Sequence, residues 1–378
     1  MNENTLSYKR NFIFLAFSNF FFFAGNSFFH LLPLYLGKIG GSKTYIGVVM
    51  GLTTGLMVLL SWSLRNKIDF LDKKKFVIYS ALLATLIYVG YFFTANLYTV
   101  FFWRMLQGVI YTIGFTFSAA ILVEIIPKEK LVGLVAVFGI SGALTNAFGP
   151  FVGEKIIKYA SFKYIFLAAA VSSLLWLFFI FQVGYVKIKP KKQDSSSEAP
   201  ISVYLKIIPT AILFGMVFSS FFSFISHYAE EYHIVPISAF YLSYTGILIL
   251  IRLFFFDKMN SWNIHKTIRS SFFLVLLVLT GAYFLPRFSF PLFLGLIGAG
   301  YGMAHGFLYP TVSVLFLRQT PERRGKATIV FILLFNLGHS ISSVFLGFTA
   351  DHIGYPYMYL IAAAITVFGL VFFLKNEG

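Results

Sequence analysis

Cysteine is absent from this chain of 378 residues, and charged side chains are scarce. Without cysteine, the protein can form no disulfide, no thiolate metal site and no thiol nucleophile. Asp, Glu, Lys and Arg together make up 12% of the residues, about half the share of about 25% that is usual in soluble domains. Apolar residues make up 58% and aromatic residues 20%. This composition predicts an integral membrane protein.

A formal net charge of +16 could suggest a nucleic-acid partner. The lysines and arginines, however, form no continuous patch and lie in short clusters between long apolar runs. Positive loops beside a lipid bilayer explain that pattern better. We therefore expect the bilayer, and no nucleic acid, as a partner.

Motifs for nucleotides and metals are also missing. The segment GKIGGSKT, residues 37–44, comes close to a phosphate-binding loop, but Ser42 replaces the required glycine and the segment joins two apolar runs. No histidine cluster has metal-ligand spacing. We expect no metal, no cofactor and no enzymatic activity, so a gradient would have to drive any solute movement.

Twelve apolar segments are long enough to cross a membrane. A membrane-spanning helix needs about 20 residues, because the hydrocarbon core is about 30 Å thick and a helix rises about 1.5 Å per residue. The first segment follows Lys9 and Arg10 like a signal peptide, but its apolar run is too long and no A-x-A site follows. The predicted spans are 11–36, 44–64, 75–94, 97–123, 130–153, 162–186, 203–228, 237–256, 266–285, 289–317, 326–349 and 355–374.

Loop charges predict the orientation. If the N-terminus is cytoplasmic, loops and termini on that side carry 22 Lys and Arg residues, and those on the other side carry six. When the Lys and Arg residues at the span ends are counted with the adjoining loops, only Arg104 and Arg252 remain inside predicted spans. Positive loops face the cytoplasm, so we expect both termini to be cytoplasmic, in a multi-pass protein of the cell (inner) membrane.

One stretch has linker composition. KIKPKKQDSSSEAP, residues 187–200, is rich in Lys, Ser and Pro and divides the spans into six and six. At an offset of 194 residues, Pro127 matches Pro321, Gly153 matches Gly347, and the alanines at 168–170 match those at 362–364. We predict an N-terminal six-helix bundle at 1–186, a cytoplasmic linker at 187–202 and a C-terminal six-helix bundle at 203–378.

Several motifs resemble those of the major facilitator superfamily. They are RMLQG at 104–108, GPFVG at 149–153, GAGYGMAHGFLYP at 298–310 and TPERRGKA at 320–327. The stretch LPLYLGKIGGSKTYIGVVMG at 32–51 is similar to the efflux-permease branches of that family. The resemblance implies an all-α fold of twelve transmembrane helices in two six-helix pseudo-repeats around a central cavity, working by alternating access.

The resemblance is weakest after the second span. There the family usually has G-x-L-x-D-R-x-G-R-[KR], whereas this chain has SLRNKIDFLDKKKF, with Asn66 at the position of the aspartate. The second-half counterpart keeps Asp257 and Lys258, preceded by Arg252, but lacks the glycine. We take Arg252 and Asp257 as candidate gating residues.

Arg104 carries the main functional hypothesis. An arginine inside a membrane span costs about 2.5 to 3.5 kcal/mol on insertion scales, so it should face the bundle interior or a water-filled cavity. Gln107, Gly108 and Tyr111 follow at helical spacing on the same face. Arg104 either binds an anionic group in a cavity or takes part in a proton relay there. Alternatively, it bonds to backbone carbonyls or a neighbouring helix and only stabilises the bundle. The resemblance implies a conformationally or proton-linked arginine here.

The fifth span contains closely spaced small residues. Small residues at i and i+4 let helices approach closely, and a proline bends a helix within a span. Gly149, Pro150 and Gly153 therefore predict a packing motif. The G-P-x-x-G ending also resembles the signature of the superfamily's antiporters, which implies export.

Histidines and amides complete the candidate cavity. His305 and His339 lie near the middle of the tenth and eleventh spans, and a histidine titrates near neutral pH, so either could carry a coupling proton. No Asp or Glu lies at the centre of any predicted span, and Glu124 and Glu154 lie at span ends. Such a cavity would accept an anion or an apolar aromatic solute better than a dication. The candidate cavity residues are Arg104, Gln107, Tyr111, Asn26, Asn146, His305, Tyr309, Asn336 and His339.

Three functions fit these observations. The first is a monomeric secondary transporter that exports a small organic solute by alternating access, coupled to protons. The second is an uptake symporter or uniporter for an anionic metabolite. The third is a non-transporting sensor or assembly protein that keeps the same fold.

Overall fold

The computed structural model describes residues 3–64, 70–127, 130–185, 204–255, 262–319 and 324–375. Within these ranges the chain forms helices joined by short turns, and no strand is present. The protein is therefore all-α, as predicted.

Fourteen α-helices and one 3₁₀ turn make up the described chain. Most start and stop within a few residues of the predicted span limits. In the first half they are α1 Glu3–Ser27, the 3₁₀ turn Phe28–Leu31, α2 Leu32–Lys38, α3 Lys43–Leu64, α4 Lys73–Phe92, α5 Leu97–Ile125, α6 Leu131–Ala143, α7 Thr145–Tyr159 and α8 Tyr164–Gln182. In the second half they are α9 Ile208–Phe222, α10 Ile225–Glu231, α11 Ser238–Phe254, α12 Ile264–Tyr283, α13 Pro291–Gln319 and α14 Arg324–Lys375.

All twelve predicted spans lie on these helices. Among the described residues, nine helical runs are long and apolar enough to cross a membrane. The predicted fifth span lies on two shorter consecutive helices, α6 and α7, and the predicted eighth span lies on α11, which has 17 residues. The ninth run, Ala327–Lys375, carries the last two spans. The twelve-helix fold is confirmed.

Gly354 divides the final helical run. Its backbone angles, φ 84° and ψ 162°, are not helical, and a positive φ is readily adopted only by glycine. A straight helix of 49 residues would be about 74 Å long, more than twice the hydrocarbon thickness of about 30 Å. The break lies between the predicted spans 326–349 and 355–374, so each half is long enough for one crossing.

The described chain forms two compact units. Unit 1 contains residues 1–32 and 56–195, and unit 2 contains residues 33–55 and 196–378. Unit 2 therefore includes a segment, 33–55, that comes from the predicted N-terminal bundle. The predicted linker, 187–202, lies outside the described residues, and the division at that linker stays a prediction.

Side-chain caps start several of the membrane helices. Asp72, Asn96 and Asn263 accept hydrogen bonds from backbone N–H groups in the first turns of α4, α5 and α12, at 3.2, 3.0 and 3.1 Å. A first turn has no intrahelical acceptors for its N–H groups, so these caps define where each helix begins. Large apolar side chains, such as Phe368 at 83% and Leu292 at 70% exposure, lie on the outer surface. Such a surface suits lipid.

Candidate substrate and coupling sites

The polar face of α5 is buried in unit 1. Arg104 is 6% exposed and Gln107 is 3% exposed, and Gly108 is buried beside them. On the opposite side of the helix, Phe102 is 49% and Met105 is 37% exposed. The charged residue of this span therefore faces protein, and its apolar flank faces outward.

Gln107 is the centre of a hydrogen-bond network. Arg104 Nη1 donates to Gln107 Oε1 at 3.0 Å, and the hydroxyl of Tyr91 donates to the same oxygen at 3.2 Å. The amide nitrogen of Gln107 donates to Asn26 Oδ1 at 3.2 Å. The network joins α1, α4 and α5 through amide and phenol groups.

Asn26 anchors the α1 side of this network. Its Oδ1 also accepts a hydrogen bond from the hydroxyl of Tyr88 at 3.2 Å, and its own amide nitrogen donates to the backbone oxygen of Phe22 at 2.8 Å. That second bond closes within α1 and fixes the orientation of the Asn26 side chain.

Aromatic rings and a histidine surround the guanidinium. Arg104 Cζ lies 5.6 Å from the ring centroid of Phe29, within the range of a cation–π contact. His30, the next residue, forms a 3.2 Å hydrogen bond through Nε2 with Asn146 Oδ1 on α7. Tyr111 stacks on Phe22 with ring centroids 5.2 Å apart. Unit 1 thus brings together four predicted cavity residues, Arg104, Gln107, Asn26 and Tyr111, with the Asn146–His30 pair beside them.

The glycines of the G-P-x-x-G motif let α7 approach α1 closely. A Cβ added at Gly149 would lie 2.7 Å from the backbone nitrogen of Phe28 and would also meet Ser27, and one added at Gly153 would lie 2.7 Å from Leu31. Pro150 lies inside α7 and is buried. In this structure the motif packs α7 against the end of α1 and the 3₁₀ turn.

A second polar site lies in unit 2 around His305. The hydroxyl of Tyr244 on α11 and Nδ1 of His305 on α13 are 2.6 Å apart, and His305 is 8% exposed. The rings of Phe214 and Phe218 lie edge to face with the imidazole, at 5.1 and 5.5 Å between centroids. Tyr309 is also adjacent, at 5.9 Å. His305 therefore lies in an aromatic enclosure with one short hydrogen bond.

His339 belongs to a neighbouring row of serines. Its Nε2 lies 3.3 Å from the hydroxyl of Ser223, which lies 3.0 Å from the hydroxyl of Ser343. The ring of Phe218 separates the two histidines, with its centroid 5.5 Å from each imidazole centroid. The amide nitrogen of Asn336, in contrast, donates to the backbone of its own helix at Ile332, 2.8 Å away.

The predicted gating pair can be located only in part. Arg252 lies in the last turn of α11 and is partly buried. Asp257 lies outside the described residues.

Four further residues take part in these polar sites or in buried charge pairing. Tyr88 and Tyr91 extend the Arg104 network and Tyr244 binds His305, while Lys73, only 2% exposed, pairs with Glu124 at 2.8 Å. Tyr88 and Tyr91 lie three residues apart in the third span, and this spacing could have indicated a shared polar face. Aromatic residues are so common in this chain that the spacing did not stand out.

The described residues hold no group of three or more His, Asp or Glu side chains that could bind a metal ion. The chemistry available at the Arg104 and His305 sites is hydrogen bonding, the buried Arg104 cation and buried imidazoles. These groups can bind a solute and can exchange protons.

A twelve-helix membrane fold with buried polar sites defines a multi-span membrane transporter. The sequence model of the Major Facilitator Superfamily matches residues 12–342 and 272–378. The chain belongs to the Major Facilitator Superfamily, as its motifs predicted, and efflux transporters are found among its relatives.

Two related exporters can be aligned over nearly the whole chain. The multi-drug resistance efflux pump PmrA of Streptococcus pneumoniae is 26% identical over 90% of this chain and 89% of its own length. The staphylopine export protein of Staphylococcus aureus is 23% identical over 94% of this chain and 93% of its own.

Solved structures share the fold. The nucleoside transporter NupG aligns with a TM-score of 0.73 at 16% identity, covering 97% of this chain and 98% of that one. The peptide transporter POT in complex with sulfate aligns with a TM-score of 0.80 at 10% identity, covering 100% and 99%.

Proposed function

We propose that this protein exports a small organic solute with an anionic group, in exchange for protons, by alternating access. The observation that carries the proposal is the Arg104 network. The buried guanidinium donates there to Gln107 at 3.0 Å and lies 5.6 Å from the ring centroid of Phe29. A carboxylate or phosphate on the solute would complement its positive charge and accept charged hydrogen bonds from it. The solute-binding residues are Arg104, Gln107, Asn26, Tyr111 and Asn146.

The proton site is assigned to unit 2. No carboxylate lies at the centre of a predicted span, and imidazole is the side chain whose ordinary pKa lies closest to neutral pH. His305, with Tyr244 at 2.6 Å, and His339, with Ser223 at 3.3 Å, are the candidates. Tyr309 borders His305 and completes this group.

Two relatives suggest different solutes. One is named a multi-drug efflux pump and the other a staphylopine exporter. The buried cation of unit 1 would repel a cationic drug. Between these two, the Arg104 network favours an anionic, metabolite-like solute.

Flux in proteoliposomes tests the proposal. Purified protein is reconstituted, a pH gradient is imposed, and movement of staphylopine, the anionic dye carboxyfluorescein, a neutral aromatic dye and the cation ethidium is followed. We expect the anionic solute to cross the membrane in the direction opposite to the protons. Ethidium should not cross. The same anionic solute moving together with protons would favour uptake, the second candidate function. No flux of any solute would favour a non-transporting role.

Orientation is tested separately. We propose cytoplasmic termini in the cell membrane and a monomeric protein. Because the chain has no cysteine, a single Gln193→Cys in the linker gives one reactive thiol. An impermeant maleimide should label it in inside-out vesicles and leave it unlabelled in intact cells; the reverse pattern would refute the orientation. Light scattering of the purified protein should give one chain per particle.

A further inference from the structure

The start of α3 is capped by a residue from the last helical run. The backbone N–H groups of Lys43 and Thr44 donate to the two carboxylate oxygens of Asp351, at 2.7 and 2.8 Å. N–H groups in the first turn of a helix have no acceptor within that helix, and the partial positive charge there favours a carboxylate. Asp351 therefore caps a helix that begins 308 residues earlier in the sequence.

The Lys43 side chain makes a second attachment. Its Nζ lies 2.8 and 3.1 Å from the two carboxylate oxygens of Glu231 at the end of α10, and 4.3 Å from the ring centroid of Tyr355. Lys43 is 21% and Glu231 33% exposed. We call Asp351, Glu231, Lys43 and the N–H group of Thr44 the Asp351 clamp.

Below the clamp, α3 packs against α14 through glycines and serines. A Cβ added at Gly51 would lie 2.8 Å from the backbone oxygen of Ser340, and one added at Gly55 would lie 2.8 Å from the Ser340 hydroxyl. A Cβ added at Gly347 would lie 2.6 Å from the backbone oxygen of Lys43. The surface between residues 43–55 and 340–351 is therefore backbone against backbone.

We call this surface the seam. Its closest contacts are formed by glycine and serine, so at those points no large side chain has to move aside when the two segments separate. The clamp differs from the seam, because Asp351 is exposed and its partners are partly exposed. Water can replace the clamp's hydrogen bonds when they break, which makes the contact specific but reversible.

We propose that the Asp351 clamp is a release point at which residues 43–55 detach from α14 during the transport cycle. The carboxylate cap of Asp351 makes the main contribution to holding the seam closed, and the Lys43–Glu231 pair makes a smaller one. This inference rests on the proposed transport function, since a protein that does not cycle needs no release point.

Thiol labelling tests the clamp without a solute. Ser340→Cys places the protein's only thiol beneath α3, in a half-buried position. Labelling by an impermeant methanethiosulfonate is timed in spheroplasts and in inside-out vesicles, so that the result does not depend on orientation. We expect Asp351→Ala to increase the labelling rate about tenfold, which corresponds to about 1.4 kcal/mol, and Glu231→Gln to increase it less.

His352→Ala is the matched control. His352 is the exposed neighbour of Asp351, and its Nδ1 lies 2.9 Å from the backbone oxygen of Phe348 in its own helix. We expect His352→Ala to label at the rate of the Ser340→Cys protein alone. Equal rates for Asp351→Ala and His352→Ala would overturn the proposal.

Asp351→Asn controls for misfolding as the cause of faster labelling, because asparagine keeps the side-chain shape and one acceptor oxygen. It should melt at the unchanged temperature and label at an intermediate rate; a rate equal to that of His352→Ala would also overturn the clamp. Failure of the flux assay, in contrast, would refute transport while leaving the labelling rates as they are, so the two failures are distinguishable.

Discussion

Replacing Arg104 by methionine separates the two roles open to this residue. Methionine has a similar length and no charge. In the folded protein the guanidinium gains about 1.5 to 3 kcal/mol from the charged hydrogen bond to Gln107 and about 0.5 to 2 kcal/mol from the ring of Phe29. Burying an arginine within a span costs about 2.5 to 3.5 kcal/mol.

These contributions nearly cancel, so Arg104→Met should change the free energy of unfolding by only about 1 kcal/mol. Gln107 keeps one partner for its Oε1, the hydroxyl of Tyr91 at 3.2 Å, which limits the loss. Binding should change far more. Losing a charged hydrogen bond of about 1.5 to 3 kcal/mol to an anionic group weakens affinity about 10- to 150-fold.

The assay compares thermal stability in detergent with the dissociation constant of the solute found by proteoliposome flux. Arg104→Lys is the control: it keeps the charge but loses the planar fork, so its affinity should lie between those of the other two proteins. The reasoning is refuted if Arg104→Met melts far below wild type while the folded fraction binds and transports normally. Arg104 would then only stabilise the bundle.

Three further substitutions test other parts of the structure. Glu124→Gln leaves the charge of Lys73, which is 2% exposed, without its carboxylate partner. The free energy of unfolding should fall by about 3 to 5 kcal/mol. Adding Lys73→Met should recover most of that loss, as measured by thermal melting. Gly149→Val should reduce the yield of folded protein, because the added atoms meet Ser27 and Phe28 backbone, whereas Gly246→Ala, with nothing within 4 Å of its Cβ position, should melt as wild type. His305→Gln should leave solute binding intact and abolish the dependence of flux on the pH gradient; unchanged coupling would exclude this histidine.

Hydropathy was sufficient to predict the twelve spans, because every crossing must bury about 20 apolar residues whatever their neighbours are. The polar face of α5 also followed from spacing, since Arg104 and Gln107 are one turn apart. The hydrogen-bond partners of these residues could not be predicted from the sequence. Tyr88 and Tyr91 come from α4, and only tertiary packing brings their hydroxyl groups to Gln107 and Asn26.

Long-range polar contacts were equally hidden in the sequence. Asp351 and Lys43 lie 308 residues apart, and nothing in either segment indicates the other. The amide of Asn336 donates to its own helix, and the sequence alone could not distinguish that contact from one across helices. Its place in the cavity stays a prediction. Sequence patterns therefore located the polar residues, but the structure was needed to decide which of them meet.

The Arg104 network has an unequal supply of donors and acceptors. Gln107 Oε1 accepts from Arg104 and Tyr91, and Asn26 Oδ1 accepts from Gln107 and Tyr88. An amide oxygen has two lone pairs, so both oxygens are fully occupied. An ammonium group entering here would find neither of them available. In the proposed binding role, a ligand that brings its own oxygen acceptors would compete for the surrounding N–H and O–H groups. The pairing of lone pairs, apart from charge, would then favour oxygen-rich solutes.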